Sequence, residues 1–503
     1  MAVKEGGVGM RSAKRAKRRP SEADKQQYKQ GLRDGYVQGQ EAGRQAFGVP
    51  WLGTSIIIPT FDKCDYLSQC IDSILAHTPE PYEIIVVDNA STDGTAQMLV
   101  RLIGKLGHER LRWGIMEHNA GFAAAVNRGM MMARGEKLLL LNNDTIVTER
   151  WLENMTACLE QLPDVGIVGP VTNFISGSQL VSVPYETISG MHKWARKHNE
   201  PDPDRWRETD RLTGFCMLMR RELMGAIGYF DEGYAIGNYE DDDYGLRTRL
   251  NGLKLVIAGD SFIHHYGNVS IRGFGSRMEE ITRHNRSFFQ RKWEHADAWI
   301  EQSASMARSV TAARNELQLY PGGIAASGAD GTLWWLENGC RWKIIGEWPH
   351  PAIRLAMPLL RRLRVSLEPI LAEQAVFRWH GDSTAPPLPE IRDAASASEF
   401  TTAEASPADE AAIAVAASSA ASSAEVAGEA TGSSTVPPSL VMLPSDSLAY
   451  VESGQLRLFL NQQTVEDWGL SSKPVVRKLT QEEAEKLPVG LLIISPPQLL
   501  QRL

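Results

Sequence analysis

Residues 138–147 have the sequence LLLLNNDTIV, and the change of polarity inside this stretch decides the fold. Four consecutive leucines are typical of a strand that is buried on both faces of a sheet. The chain then turns polar at Asn142, Asn143 and Asp144, whose side chains all carry oxygen atoms. Because ligands of open α/β sheets bind beyond the carboxyl ends of the strands, we expect these side chains to line a ligand site.

Similar apolar runs lie on both sides of this stretch and alternate with helical patterns. We predict further strands at residues 54–61, 83–89, 111–118 and 165–171. Near-continuous apolar runs that are separated by helices indicate a mostly parallel sheet with helices on both faces. The predicted fold class is therefore α/β and Rossmann-like.

Composition excludes several classes of protein. The 503-residue chain has a net charge of −8, which argues against a nucleic-acid-binding protein. Its five cysteines are scattered and form no CxxC pair, so a zinc site or a disulfide framework is not expected and a reducing compartment is favoured. No apolar run approaches the ~20 residues that span a bilayer. We therefore expect a cytoplasmic protein without a transmembrane segment, and leave open peripheral contact with the inner face of the cell membrane.

Patterning divides the chain into six segments. We predict a disordered basic leader (1–22), a glycine-striped helix (23–50), the α/β domain (51–295), a helical and β-hairpin extension (296–381), a disordered acidic linker rich in Ala, Ser and Glu (382–440) and a small C-terminal β-containing domain (441–503). The glycine stripe leaves two alternatives, a self-association helix and a flexible leader.

Two short stretches of the chain are similar to each other. Residues 333–344 and 448–459 match in the order of their apolar residues, Glu and Gly. Each predicts a β-hairpin that turns near Gly339 or Gly454.

Asp144 is the first candidate ligand for a metal ion. Mg²⁺ and Mn²⁺ prefer oxygen ligands, and Mg²⁺ usually takes one or two carboxylates together with substrate phosphates. The alternative is that the Asn-Asn-Asp triplet is a polar turn that caps the next helix. Asp88 likewise either accepts a hydrogen bond from a nucleotide base or caps the turn that follows its strand.

Two further clusters are candidates for chemistry. Residues 240–243 are Glu-Asp-Asp-Asp at a predicted helix start, where the helix dipole alone would stabilise acids. A carboxylate beside like charges can also have its pKa raised towards that of a useful general base. His264 and His265 end another apolar segment, and only one of them can face a given site because neighbouring strand residues point to opposite faces.

Seven motifs occur in one order over about residues 53–295: SIIIPTF, EIIVVDNASTDGT, NAGFAAAVNRGM, LLLLNNDTIV, LTGFCMLMRREL, YEDDDYGLRTRLNGLKL and FIHH. Together they resemble the family 2 glycosyltransferases of GT-A fold, close to the bacterial rhamnosyltransferase-like branch. The resemblance implies inverting transfer of a sugar from a UDP- or dTDP-sugar, with Mg²⁺ or Mn²⁺ as cofactor. The implied acceptor is a hydroxyl of a glycan, lipid-linked or protein-linked molecule in polysaccharide biosynthesis of the cell envelope.

The resemblance also implies roles for individual residues. Asp241 is the implied general base, with Glu240 beside it. Asp144 is the implied metal ligand together with His264, and His265 is the alternative to His264. The implied nucleotide-sugar-binding residues are Pro59, Thr60, Asp88, Asn89, Asn119, Gly121, Asn127, Asn142 and Asn143. The predicted acceptor-side residues are Trp151, Gly214 and Asp243.

Two other functions are left open. One is a catalytically weak glycan-binding or scaffold protein built on a GT-A domain, which the basic leader and the glycine stripe would suit. The other is nucleotidyl transfer, for which the PTFDK segment at residues 59–63 lacks the expected glycine-rich phosphate loop.

Overall fold

The computed structural model describes residues 51–267, 276–294, 315–391 and 436–500. The predicted leader, the glycine-striped helix and most of the predicted linker lie outside the described residues. Among the described residues, no helix is long and apolar enough to cross a membrane.

The α/β region begins with a strand and then alternates helices and strands. Its strands are β1 (Trp51–Thr60), β2 (Tyr82–Asp88), β3 (Leu111–Ile115), β4 (Gly135–Leu141), β5 (Thr145–Val147), β6 (Val165–Thr172), β7 (Trp206–Thr209), β8 (Cys216–Arg220) and β9 (Lys254–His265). Its helices are α1 (Cys64–His77), α2 (Thr95–Leu106), α3 (Phe122–Met132), α4 (Trp151–Gln161), α5 (Ile188–His198), α6 (Arg221–Ile227), α7 (Glu240–Leu250) and α8 (Ser276–Lys292).

These strands form one sheet in the order β3-β2-β1-β4-β8-β6-β9-β5, with β7 paired to β9. β1, β2 and β3 pair in parallel, as do β6 and β9. β8 is antiparallel to both of its neighbours, β4 and β6. The predicted α/β class is confirmed, and the antiparallel β8 has one important effect: its amino end lies at the same edge as the carboxyl end of β4.

Buried apolar layers cover the sheet on both faces. Ile56 and Ile58 belong to a core with the helices α1, α2 and α4. Ile57 points the other way and packs in a second core with α3 and α6. All three isoleucines are fully buried, and each burial contributes about 1.5–3 kcal/mol. This burial on both faces explains why the strands have near-continuous apolar sequences.

Two small modules follow the α/β region, and they share one topology. The first contains β10 (Ile324–Ser327), β11 (Leu333–Glu337), β12 (Cys340–Ile345), β13 (Ile353–Arg354), α9 (Met357–Arg362), β14 (Arg364–Val365), β15 (Ile370–Leu371) and α10 (Ala372–Trp379). The second contains β16 (Ser439–Met442), β17 (Leu448–Glu452), β18 (Gln455–Leu458), α11 (Gln462–Asp467), β19 (Val475–Lys478) and α12 (Gln481–Lys486).

In each module, three strands form an antiparallel meander and a later strand adds in parallel to the first of them. Both predicted hairpins are present. Their turns place Asn338-Gly339 and Ser453-Gly454 at positive φ, as two-residue hairpin turns require. The hairpin tips touch, because Ser453 Oγ donates to Asn338 Oδ1 over 3.1 Å.

The modules share a continuous core with the face of the sheet that α3 covers. Trp335, Trp379 and Trp468 belong to that core. Packed chain continues past the predicted boundary at 381, since the carbonyl oxygens of Pro386 and Pro389 accept hydrogen bonds from the first module.

Candidate active site

One edge of the large sheet collects the polar ends of several strands. Thr60 and Asp88, the last residues of β1 and β2, are register partners. Asn143 follows β4, and its amide donates to Thr60 Oγ1 over 2.7 Å. His265 ends β9 and pairs with Thr145, so it reaches the same edge. We call Thr60, Asp88, Asn143, Asp144 and His265 the strand-end cluster.

Asp144 and His265 are direct neighbours in this cluster. Asp144 Oδ1 lies 3.2 Å from His265 Nε2, and both side chains are buried. His265 Nδ1 lies 2.8 Å from the carbonyl oxygen of Phe174. Because a carbonyl oxygen only accepts, Nδ1 carries a hydrogen and donates it, which orients Nε2 towards the carboxylate.

The structure corrects the choice between the two histidines. The prediction preferred His264, whose Nδ1 instead lies 2.8 Å from the hydroxyl of Tyr185. Burial, together with the neighbouring His265, lowers the pKa of His264 to about 4. The alternation of side chains along β9 explains why one ring faces Asp144 and the other does not.

Asp144 and His265 fit a divalent cation that takes its remaining ligands from the phosphates of a bound substrate. A carboxylate oxygen and an imidazole nitrogen without its hydrogen repel each other at 3.2 Å unless a proton or a cation lies between them. Among the described residues, no group of three or more His, Cys, Asp and Glu side chains converges as a metal cage. A site that is completed by substrate phosphates needs no such cage.

Asp241 lies in the first turn of α7 and contacts Gly214, two residues before β8. Its Oδ2 accepts from the backbone N–H of Gly214 over 2.7 Å, and its Oδ1 accepts from the N–H of Asp242 over 3.0 Å. A Cβ atom at position 214 would lie 3.1 Å from the Cβ of Asp241, so glycine permits this close approach. Gly214 therefore orients Asp241 through its backbone and presents no side chain to an acceptor.

The residue after Gly214 joins Asp241 to the strand-end cluster. The carbonyl oxygen of Phe215 accepts from the N–H of Asn142 over 2.8 Å. The ring of Phe215 stacks on that of His265, with centroids 5.4 Å apart. One dipeptide, Gly214-Phe215, thus contacts both the acidic helix start and the partner of Asp144.

Glu240 is buried beside Asp241. Among the described residues, no group lies within hydrogen-bonding distance of Glu240 Oε2. Burial and the negative charge of Asp241 raise the pKa of Glu240 well above its usual value. A protonated Glu240 can donate a hydrogen bond to a ligand oxygen.

The other two acids of the run have different surroundings. Burial and the charge of Asp241 raise the pKa of Asp242 to about 6, although Asp242 accepts a hydrogen bond from Arg211 over 2.5 Å. Asp243 was predicted on the acceptor side, and the structure corrects this. It is fully buried and pairs with Arg247 and Lys292. Burial alone would raise the pKa of Asp243, but Lys292 and Arg247 hold it below its usual value.

The chain reaches this acidic helix through a loop of residues 228–239 with an uncommon backbone. Ile236, Asn238 and Tyr239 have φ values of 58°, 84° and 76°. Such conformations cost non-glycine residues about 1–3 kcal/mol each and persist only where the surroundings enforce them.

Residues from distant parts of the chain touch this loop. The N–H of Phe122, at the start of α3, donates to the carbonyl oxygen of Ile236 over 2.6 Å. Gly121 has a φ of 91°, and a Cβ there would lie 3.1 Å from the nitrogen of Ile236. The N–H of Gln498 donates to Asp231 Oδ1 over 3.0 Å, and the N–H of Leu500 donates to Glu232 Oε2 over 2.7 Å.

Several residues predicted to bind nucleotide-sugar form hydrogen bonds to other protein groups around the site. Asn89 donates to Asn119 Oδ1 and to the carbonyl oxygen of Gly121, over 2.9 and 3.0 Å. Asp88 Oδ1 accepts from the N–H of Ser91 over 2.9 Å, which is the turn cap that the sequence left open. Pro59 is buried within β1.

The structure places two predicted site residues away from any ligand surface. Asn127 is fully buried; its amide donates to Phe230 O and Glu232 Oε1, and its Oδ1 accepts from Phe230 N–H. Trp151 is also fully buried, and its indole donates to Thr78 over 3.1 Å beneath the sheet. Asn127 therefore joins α3 to the loop of residues 228–239 by hydrogen bonds. Trp151 is a core residue and not an acceptor-side residue.

Sequence reasoning missed three residues that shape the site: Phe215, Asn285 and Lys292. Phe215 lies in the motif LTGFCMLMRREL, but an apolar ring has no ionisable or polar group that would have marked it as a site residue. Lys292, in FFQRKW, is fully buried between Asp231 and Asp243, 2.6 Å from each. A basic residue within an apolar, aromatic segment was the available signal.

Comparison with known proteins adds family information to this geometry. Residues 55–228 match the model of the family described as Glycosyl transferase family 2. The O-antigen biosynthesis protein RfbC of Myxococcus xanthus is 29% identical over 239 residues, which are 43% of this chain and 18% of that protein. The N-acetylglucosaminyl-diphospho-decaprenol L-rhamnosyltransferase of Mycobacterium tuberculosis is 25% identical over 291 residues, which are 52% of this chain and 92% of that enzyme.

A solved structure also matches part of the chain. The mannosyltransferase PcManGT from Pyrobaculum calidifontis, in complex with GDP-Man and Mn²⁺, is 18% identical, with a TM-score of 0.36 over 54% of this chain and 80% of that chain. The chain spans less than half the length of the first curated relatives that it matches, with shares of 18% to 40%.

Proposed function

We propose that the protein is an inverting glycosyltransferase, because residues 55–228 match the model of the family described as Glycosyl transferase family 2. Its donor is a UDP- or dTDP-sugar, and its acceptor is a hydroxyl of a glycan, lipid-linked or protein-linked molecule in surface polysaccharide biosynthesis. The names of the O-antigen and L-rhamnosyltransferase relatives support this acceptor class and favour dTDP-rhamnose as a donor to test first. The reaction is cytoplasmic and, with a lipid-linked acceptor, takes place at the inner face of the membrane.

The observation that carries the proposal is the dipeptide Gly214-Phe215. It contacts Asp241 through one residue and His265, the neighbour of Asp144, through the next. Asp241 is therefore linked to Asp144 through this dipeptide and His265.

Asp241 accepts the proton of the acceptor hydroxyl while that oxygen bonds to the anomeric carbon. The bond from the anomeric carbon to the diphosphate breaks, and its electron pair leaves with the nucleoside diphosphate on the opposite face of the sugar. General-base assistance of this kind is typically worth ~10²–10⁴-fold in rate. The two backbone N–H groups that bind Asp241 fix its direction before the substrate arrives.

Asp144 and His265 would hold a Mg²⁺ or Mn²⁺ ion. When bound, the ion supplies a Lewis acid that neutralises charge on the leaving diphosphate. Thr60, Asp88, Asn89, Asn119, Gly121, Asn142 and Asn143 surround the nucleotide-sugar in this proposal. Glu240, whose Oε2 has no hydrogen-bond partner among the described residues, contacts the sugar in this proposal.

The test is a thermal-shift screen of UDP- and dTDP-sugars with and without Mn²⁺, followed by measurement of nucleoside diphosphate release. Donor binding should raise the melting temperature, because a ligand that binds only the folded state stabilises it. Asp144→Asn should lose the metal-dependent shift, whereas Asp72→Asn, an exposed acid on α1, should keep it. If no donor binds or turns over, the glycan-binding scaffold becomes the better interpretation.

A further inference from the structure

One amide side chain from α8, that of Asn285, makes several hydrogen bonds to the loop that precedes Glu240. Asn285 Oδ1 accepts from the N–H of Ala235 over 3.0 Å. Its Nδ2 donates to the carbonyl oxygens of Ala235, Gly237 and Asn238, at 2.9, 3.0 and 3.1 Å. The side chain of Asn285 is fully buried. These four hydrogen bonds all go to the backbone of residues 235–238.

These contacts fall on the stretch with the uncommon backbone. Ile236 and Asn238 both have positive φ, and Tyr239, also at positive φ, precedes the first residue of α7. Backbone in these regions relaxes unless its neighbours define it, so the hydrogen bonds of Asn285 are suited to enforcing it. Asp241 follows Tyr239 by two residues, so a relaxed loop would turn the helix start and shift its carboxylate.

We infer that Asn285 is a positioning residue for the transfer: it fixes residues 235–239 so that Glu240 and Asp241 face the strand-end cluster. This inference rests on the proposed function for its catalytic meaning, but the hold on the loop is a physical property that can be measured separately. Asn285 lies on α8, beyond the family-matched residues 55–228.

A purely apolar packing role would not need this side chain. The apolar packing between α8 and the loop is supplied by rings, with Phe288 against Tyr234 and Phe289 against Tyr239 at 4.8 and 5.4 Å. Asn285 adds directional bonds to four backbone groups, the N–H and carbonyl of Ala235 and the carbonyls of Gly237 and Asn238. Directional bonds define a loop conformation, whereas apolar contacts tolerate sliding.

The experiment compares Asn285→Ala with Asn154→Ala in the full-length protein. Asn154 is a matched control, since it is equally a buried asparagine whose amide donates to two backbone carbonyls, of Asn199 and Asp260, far from this loop. Hydrogen exchange is followed at the amides of residues 235–239. In parallel, kcat and KM are measured for the donor that gives the fastest nucleoside diphosphate release with the wild-type protein.

In Asn285→Ala we expect hydrogen exchange of the loop amides to be at least ~10-fold faster. We expect kcat to be ~10–100-fold lower and the KM for the donor to be unchanged, because a misplaced catalytic group slows the reaction without weakening donor binding. Asn154→Ala should change neither quantity. Arg286 is exposed, and Arg286→Ala removes only the 3.0 Å hydrogen bond to the Tyr239 hydroxyl. This variant should raise loop exchange and lower kcat by smaller factors than Asn285→Ala. It serves as the test if Asn285→Ala does not fold.

Unchanged loop exchange in Asn285→Ala, or in Arg286→Ala where only that variant folds, overturns the inference. Faster exchange with an unchanged kcat also overturns it, because the loop would then be held without consequence for transfer. A wild-type protein that releases no nucleoside diphosphate from any donor contradicts the proposed function instead, while the exchange measurement still decides whether Asn285 holds the loop.

Discussion

The strand-end cluster and the loop of residues 228–239 are built differently. The cluster takes its positions from neighbouring strands, so Thr60, Asp88 and Asn143 are fixed by the sheet itself. The loop has no regular structure and is fixed by contacts from α3, α8 and residues 498 and 500. The family match ends at residue 228, where the loop begins. The sheet therefore fixes the cluster, whereas the loop depends on contacts from parts of the chain outside the family match.

The largest effect should come from Asp241→Asn, on the loop side of the comparison. The amide cannot take the acceptor proton, so we expect a ~10²–10⁴-fold loss of transfer. Donor binding, measured by thermal shift, should persist because the strand-end cluster is intact. Full transfer activity in this variant would show that another group is the base.

A smaller effect is expected from the strand-end side. Asp144→Asn should reduce nucleoside diphosphate release about 10²-fold and remove its dependence on Mn²⁺, because the carboxylate charge is lost. His265→Gln should weaken Mn²⁺ dependence, whereas His264→Gln should not, since only His265 contacts Asp144. Equal effects of the two histidine variants would contradict this geometry. Mn²⁺ titrations of the release rate provide the measurement.

Asn127→Ala tests whether the two regions are coupled. The substitution removes three hydrogen bonds between α3 and the loop and leaves the buried N–H of Phe230 without its partner. We expect a loss of about 1–3 kcal/mol in the free energy of unfolding, measured with urea. We also expect kcat to fall about tenfold while the donor KM stays constant. A variant that loses stability but keeps kcat would mean that the regions are independent.

The smallest effect on activity is expected in the C-terminal modules. Lys473 is buried against the ring of Trp379, 4.8 Å from its centroid, and donates to the carbonyl oxygen of Gly323. Burial lowers the pKa of Lys473 to about 7. Between pH 7 and about pH 10 the unfolded chain therefore binds more protons than the folded one, so this group makes folding stability rise with pH.

Lys473→Met removes this titration. The free energy of unfolding of the wild-type protein, relative to that of the variant, should rise by up to about 1.4 kcal/mol per pH unit between pH 7 and pH 10. Urea unfolding of both proteins at pH 7, 8.5 and 10 measures the difference. A pH-independent difference would contradict the buried, depressed lysine.

Much of the strand-end cluster could be predicted from the sequence, because a buried strand is recognised by its apolar run. The carboxyl ends of such strands lie at the ligand-binding edge of the sheet. The apolar run at residues 138–141 predicted that the polar residues after it lie at this edge of the sheet. Which histidine faces Asp144 also had a local basis in the alternation along β9, but choosing the face required knowledge of how β9 pairs with β5.

The rest depended on contacts between distant residues. Asp243 resembled its acidic neighbours in sequence, yet its burial is set by Lys292, 49 positions away. Trp151 follows the Asn-Asn-Asp triplet of residues 142–144 closely but begins a helix whose first residue packs under the sheet. Asn127 and Asn285 are ordinary helix asparagines until the loop is placed against them. No periodicity within one element encodes such partners.

The hydrogen bond between Gln498 and Asp231 joins residues 267 positions apart. During synthesis at about 5–20 residues per second, the loop would leave the ribosome roughly 10–50 s before this partner does. The sheet can fold in that interval, whereas the loop gains its contacts with residues 498 and 500 only afterwards. A nascent protein of this kind would order its strand-end cluster early and complete the segment before Asp241 late.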